Sequence, residues 1–152
     1  AMVANRIEAH LTKEDQQAVL ATLAEIREQL PFLLNLTAEE RQALPKMGEK
    51  SRAFVDEALA LARENPDMVP EDFDLEDMEE DIALYEGLQP ILFAVMQLED
   101  LLLSSAVAAS SDAYSAALEI YERAKEAGKG EALEAHLAEI EKAAKRAGGT
   151  SD

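Results

Sequence analysis

The stretch richest in groups that could do chemistry is Glu71 to Asp81, where eight of eleven positions are carboxylates: Glu71, Asp72, Asp74, Glu76, Asp77, Glu79, Glu80 and Asp81. Hard oxygen ligands in such density suit calcium or magnesium. Tested from Asp72 against the calcium loop D-x-[DN]-x-[DN]-G-x5-E, the third and fifth positions fall on Asp74 and Glu76. The sixth is Asp77 where the tight turn needs Gly, and the twelfth is Ala83 where a bidentate Glu is needed. The run is therefore not an EF-hand. Asp72, Asp74, Glu76, Asp77 and Glu80 stay as candidates for a weaker divalent-cation site, and the sequence suggests no other cofactor. Two further roles compete for the same residues. Acids in a first helical turn are favoured by the helix dipole, by roughly 0.3 to 1 kcal/mol each, and an acidic face can dock a basic partner. If the fold crowds these carboxylates, mild acid or a divalent cation should stabilise it.

Imidazole and thiol chemistry have little to work with. The chain has two His and no Cys, which excludes disulfides, thiolate catalysis, iron–sulfur clusters and Cys-type zinc sites. A di-iron carboxylate bundle needs Glu-x-x-His pairs one helical turn apart, but His10 is preceded at that offset by Ile7 and His136 by Leu133. No G-x-S-x-G elbow presents a Ser. The sequence thus assigns no catalytic residue and points toward a non-enzymatic protein.

Charge narrows the partners. Of the net charge of −18, −16 lies between Glu64 and Glu122, a segment with no Lys or Arg. That balance opposes direct nucleic-acid binding, which rests on cation contacts to phosphate. Arg41, Lys46, Lys50 and Arg52 cluster around the Pro45 to Gly48 turn, as counter-charges to the acidic segment or as an anion site at a helix start.

The elements that must carry these groups are helices throughout. Thr12 with Asp15 caps a first helix whose stripe is Val19, Leu23, Ile26 and Leu30, stopped by Pro31. Thr37 with Glu40 opens a connector over 38–44, closed by Pro45. A second helix over 49–64 carries Ser51, Phe54, Ala58 and Leu61, widened by Val55, Leu59 and Ala62, and ends at Asn65-Pro66. Asp74 then caps a third helix. From Ile82 it carries two stripes, one through Ile82, Tyr85, Leu92, Met96 and Leu103, the other through Leu84, Leu88, Ile91, Val95, Leu98 and Leu102. A helix apolar around most of its circumference belongs at a bundle centre or in an oligomer interface. Pro90 should kink it near Glu86-Gly87. Glu99, three residues after Met96, would then point inward and need a partner such as Arg27, Arg52 or Arg123. The Ser- and Ala-rich stretch 104–112 reads as a break, with Asp112 capping a fourth helix that Gly128 and Gly130 end, before a fifth segment with Leu133, Leu137, Ile140 and Ala144.

The segment Leu30 to Val55, LPFLLNLTAEERQALPKMGEKSRAFV, resembles a stretch of an uncharacterised family of small bacterial helical proteins. The resemblance extends loosely from about Asn5 to Gly128. It implies a bacterial source and transfers no functional residue to any position.

The expected architecture is all-α: an antiparallel bundle of four main helices plus a short connector, with the long kinked helix at its centre. Residues 1–11 form a lead-in, 12–147 one domain and 148–152 a disordered tail. The uncharged stretches Gly87 to Leu98 and Leu101 to Ser111 are each too short to span a bilayer, where about 20 apolar residues are needed, so a cytoplasmic protein without a membrane span is expected. The expected function is an interaction or scaffold protein with an acidic face for a basic partner. It should associate as a homo-oligomer, a dimer, through Leu88, Ile91, Val95, Leu98 and Leu102. The alternative is a helical bundle that binds a small molecule or a divalent metal.

Overall fold

The computed structural model describes residues 5–127 and 130–148, and those residues contain helix, turns and no strand. The elements are α1 (Lys13–Gln29), α2 (Ala38–Ala43), α3 (Glu49–Glu64), a single 3-10 turn (Pro66–Met68), α4 (Leu75–Ala127) and α5 (Glu131–Gly148).

Local chemistry sets most of the boundaries. The Thr12 hydroxyl accepts the Asp15 N–H at 3.0 Å and starts α1, while the Thr37 hydroxyl accepts the Glu40 N–H at 3.0 Å and starts α2. Past the end of α2, the Lys46 ammonium donates to the carbonyls of Gln42 at 3.2 Å and Leu44 at 2.9 Å, answering the negative end of a short helix. The Gly48 N–H donates to Ser51 Oγ at 2.8 Å at the start of α3. Its far end closes where the Asn65 backbone N–H and side-chain amide both donate to the Leu61 carbonyl, at 2.9 and 3.1 Å. Pro66 follows and cannot continue the ladder. Ahead of α4, Asp74 Oδ1 accepts the Glu76 N–H at 2.9 Å.

Two expectations are corrected. The break at 104–112 does not exist, because α4 runs unbroken to Ala127. Alanine is the strongest helix former, and Ser105 turns its hydroxyl back onto the Leu101 carbonyl at 2.7 Å, which satisfies it without ending the helix. Asp112 caps nothing; Asp112 Oδ2 accepts the backbone N–H of Arg6 at 2.8 Å and of Ile7 at 3.2 Å. Among the described residues the long helices are therefore α1, α3, α4 and α5, with the expected third and fourth helices fused. The second correction concerns the face of α3. Leu59 is buried, with Val55, Ala58 and Ala62 half-buried beside it, whereas Phe54 is 75% exposed. Val55, Leu59 and Ala62, expected only to widen the stripe, form it together with Ser51 and Ala58, while Phe54 and Leu61 of the expected stripe are exposed. Gly128 and the tail from residue 149 lie outside the described residues.

The chain divides into two units, residues 11–96 and residues 1–10 with 97–152. In the first, Arg63 pairs with Glu79 at 3.1 Å and Arg52 donates to Glu86. Rising numbers on α3 meet falling numbers on α4, so α3 and the first turns of α4 run antiparallel. Leu59 is 8% exposed and, among the described residues, is the one buried side chain. In the second unit, α5 faces the last turns of α4, where the Tyr121 hydroxyl meets Glu141 Oε1 at 3.4 Å and the Lys125 ammonium lies 4.6 Å from the centre of the Tyr121 ring.

Candidate functional site

α4 combines the most apolar stretch of the chain with the least cover. Every residue from Gln89 to Val107 is exposed. Of the expected interaction residues, Leu88 is half-buried, Ile91, Val95 and Leu98 are exposed, and Leu102 is 60% exposed. Their intervals of 3, 4, 3 and 4 place them on one face of a continuous helix. Tyr85, Leu92, Met96 and Leu103 of the other stripe are exposed as well. No residue of α4 is buried, so the expected place of this helix at the centre of a bundle has no burial behind it. The segment expected to turn back at Ser104 continues as helix instead. Fusing the two helices removes one of the elements that could have covered the other.

Polar groups on α4 follow the same pattern. Glu99 and Asp100 face solvent, so the buried carboxylate inferred from helical spacing does not arise. Two of the three bases suggested for Glu99 are engaged elsewhere. Arg52 donates to Asp56 at 3.0 Å and to Glu86, and these two carboxylates, Glu86 foremost, hold its guanidinium pKa above the ordinary arginine value. Arg123 sits 3.1 Å from Glu119, one turn away on the same helix. Lys125 pairs with Glu122 at 3.2 Å, and that hydrogen bond raises its pKa above the ordinary lysine value.

The carboxylate run Glu71 to Asp81 is dispersed. Asp74 caps α4 and Glu79 is taken by Arg63, while Asp72, Glu76, Asp77 and Glu80 are exposed. Among the described residues no three His, Asp or Glu side chains come together as ligands for a metal ion. His10 and His136 are both exposed. The basic cluster is divided too, with Lys46 on the end of α2 and Arg52 on its two carboxylates.

Two features carried little or no signal in the sequence. The anchoring of Arg6 and Ile7 on Asp112 joins positions more than a hundred residues apart, and nothing local marks it. The Lys125–Tyr121 contact could have been found from its i, i+4 spacing. Beside it lies a groove of about 560 Å³, lined by Tyr114, Leu118, Tyr121, Ile140 and Ala144 among others.

By length and composition α4 also contains a stretch able to cross a membrane, and none of that stretch is buried. Compared with protein-family models, with curated proteins and with solved structures, the chain matches none. The functional reading rests on the surface itself.

Proposed function

We propose that the protein is a non-enzymatic interaction or scaffold protein that associates through the apolar length of α4 and offers the acidic segment Glu64 to Glu122 to a basic partner. The observation that carries the reading is the exposure of Gln89 to Val107, including Leu101 at 65%. Contiguous apolar surface of this extent marks an interaction site, and large apolar side chains without cover are costly to leave in water. The expected antiparallel bundle of four main helices, with α4 bent near Glu86-Gly87 at its centre, is the arrangement that association would complete.

A bilayer is the rival cover, and two features argue against it. Glu99 and Asp100 fall in the middle of the apolar stretch, where each acid opposes insertion by about 2.5 to 3.5 kcal/mol. No Lys or Arg flanks the stretch between Glu64 and Glu122, so the basic flank that orients a spanning helix is missing. The reading therefore keeps the protein in the cytoplasm, without a membrane span.

Capture of partners from a bacterial lysate at low and high salt tests the proposal. Basic proteins should be retained at low salt, released at high salt, and lost when Asp72, Asp74, Glu76, Asp77 and Glu80 are changed to Asn or Gln. Retention indifferent to salt and to these substitutions would overturn it. The groove beside Tyr121 supports a second reading, a bundle that holds a small apolar molecule between α4 and α5, for which a co-purifying ligand in native mass spectrometry is the evidence. The divalent-cation form of that reading has no clustered ligands behind it.

A further inference from the structure

We infer that the cover for the apolar face of α4 is the same face of a second copy of this chain, laid antiparallel. The inference rests on the interaction reading above and names its partner. Exposure, spacing and charge each point to this occupant.

Every residue from Gln89 to Val107 is exposed, and Leu101, Leu102 and Leu103 are each 60% or more exposed, so a continuous apolar length of helix is open to a partner. A basic partner would be drawn to the carboxylates rather than to the stripe. A second α4 offers an apolar stripe of equal length, Leu88 to Leu102.

The intervals from Leu88 through Ile91, Val95 and Leu98 to Leu102 alternate 3 and 4, which is the seam of a two-helix pair. From Ile91 to Leu102 the intervals run 4, 3, 4, which reads the same way backwards, so two copies can interlock in opposite directions over that length, with Leu88 opposite Ser105 at its edge. Val95 then faces Leu98 of the second copy and Ile91 faces Leu102, with the twofold axis crossing between Met96 and Gln97. Charge selects this direction. A parallel pair would set the eight carboxylates of Glu71 to Asp81 beside the same eight of the other chain, and like charges at such range repel. About the antiparallel axis, that run lies beside residues 112–122 of the second copy, which hold only Asp112, Glu119 and Glu122 as acids.

The chain has no Cys, so single labelling sites can be placed in the full-length protein without removing any. Gln97→Cys and Glu80→Cys, each carrying a spin label, separate the arrangements by dipolar distance measurement. The antiparallel pair puts two labels at position 97 within about 20 Å, and those at position 80, which sits opposite residue 113, about 50 Å apart along the helix. Short distances at both positions mean a parallel pair and overturn the inference. No coupling at either, with light scattering giving 16.6 kDa at micromolar concentration, overturns it as well. The double variant Ile91→Asp with Leu98→Asp should halve the wild-type mass, and an unchanged dimer mass would show that another surface pairs. Flotation of the wild type with neutral phosphatidylcholine vesicles would assign the stripe to lipid instead. A monomer that still captures basic proteins through its acidic run refutes the dimer and leaves the interaction reading standing. A dimer whose captures ignore that run does the reverse.

Discussion

On α3, Leu59 is buried, Val55 lines a shallow groove with Met78 and Ile82 of α4, and the ion pairs Arg63–Glu79 and Arg52–Glu86 tie the two helices together. A few turns further along α4, beyond Gly87, the side chains are more apolar and face nothing. α3 is amphipathic, and its narrow stripe is covered within the chain, with Val55, Ala58 and Ala62 half-buried around Leu59. The middle of α4 is apolar nearly all round, so one neighbour would cover only a fraction of it. Apolar content alone therefore does not decide burial within a chain; the width of the apolar face against the number of available neighbours does.

The largest effect expected from breaking this contrast is at Leu59. Leu59→Ala should destabilise residues 11–96 by about 2 kcal/mol or more, the cost of truncating a buried leucine, as measured by urea denaturation. Leu102→Ala sharpens the contrast from the other side. In dilute solution an exposed leucine should matter by less than about 0.5 kcal/mol, whereas at tens of micromolar the proposed pairing predicts that the same substitution lowers stability by about 2 kcal/mol. Equal effects at both concentrations would place Leu102 outside any interface.

Smaller effects test the ends of α4. Asp112→Ala removes the acceptor for the Arg6 and Ile7 amides and should reduce stability by about 1 to 2 kcal/mol, with faster hydrogen exchange at those two amides. Gly87 sits within the helix with open space where a Cβ would project, so Gly87→Ala should raise the stability of the separated chain by about 1 kcal/mol. Destabilisation instead would mean that another backbone approaches at Gly87. Last comes the Lys125–Glu122 pair. Because folding raises the Lys125 pKa, its contribution is complete at neutral pH and is lost as pH climbs through the raised value, above the ordinary 10.5. The melting-temperature difference between wild type and Lys125→Met should therefore shrink only in that alkaline range.

Much of the fold was legible because its signals are local. Thr12, Thr37 and Asp74 act as caps through side chains that bond amides two or three residues on, and Asn65-Pro66 ends α3 at the expected residue. The stretch around Asp112 was not legible, because capping depends on backbone conformation as well as residue type, and this carboxylate answers amides from the opposite end of the sequence. The exposed Phe54 marks a similar limit. Spacing puts Phe54 and Leu59 about 140° apart around the helix, and only the placement of neighbouring elements decides which side is covered. For the candidate site, the stripe from Leu88 to Leu102 was readable as a surface in need of cover. Its exposure was not readable, since spacing shows which side chains share a face and not whether another element among the described residues reaches it.

The unbroken passage of α4 from Leu75 to Ala127 has a consequence in time. Its backbone hydrogen bonds join residues four apart, so the helix itself can form in about a microsecond. With a second copy as the cover, as proposed above, burying its apolar face would require an encounter between molecules, which would make the final step second order. Freshly made chains at low abundance would dwell with Gln89 to Val107 in water, open to proteases and to wrong partners. On that proposal the dwell time would shorten as the population grows, and the lifetime of each molecule would become a function of how many others the cell has already made.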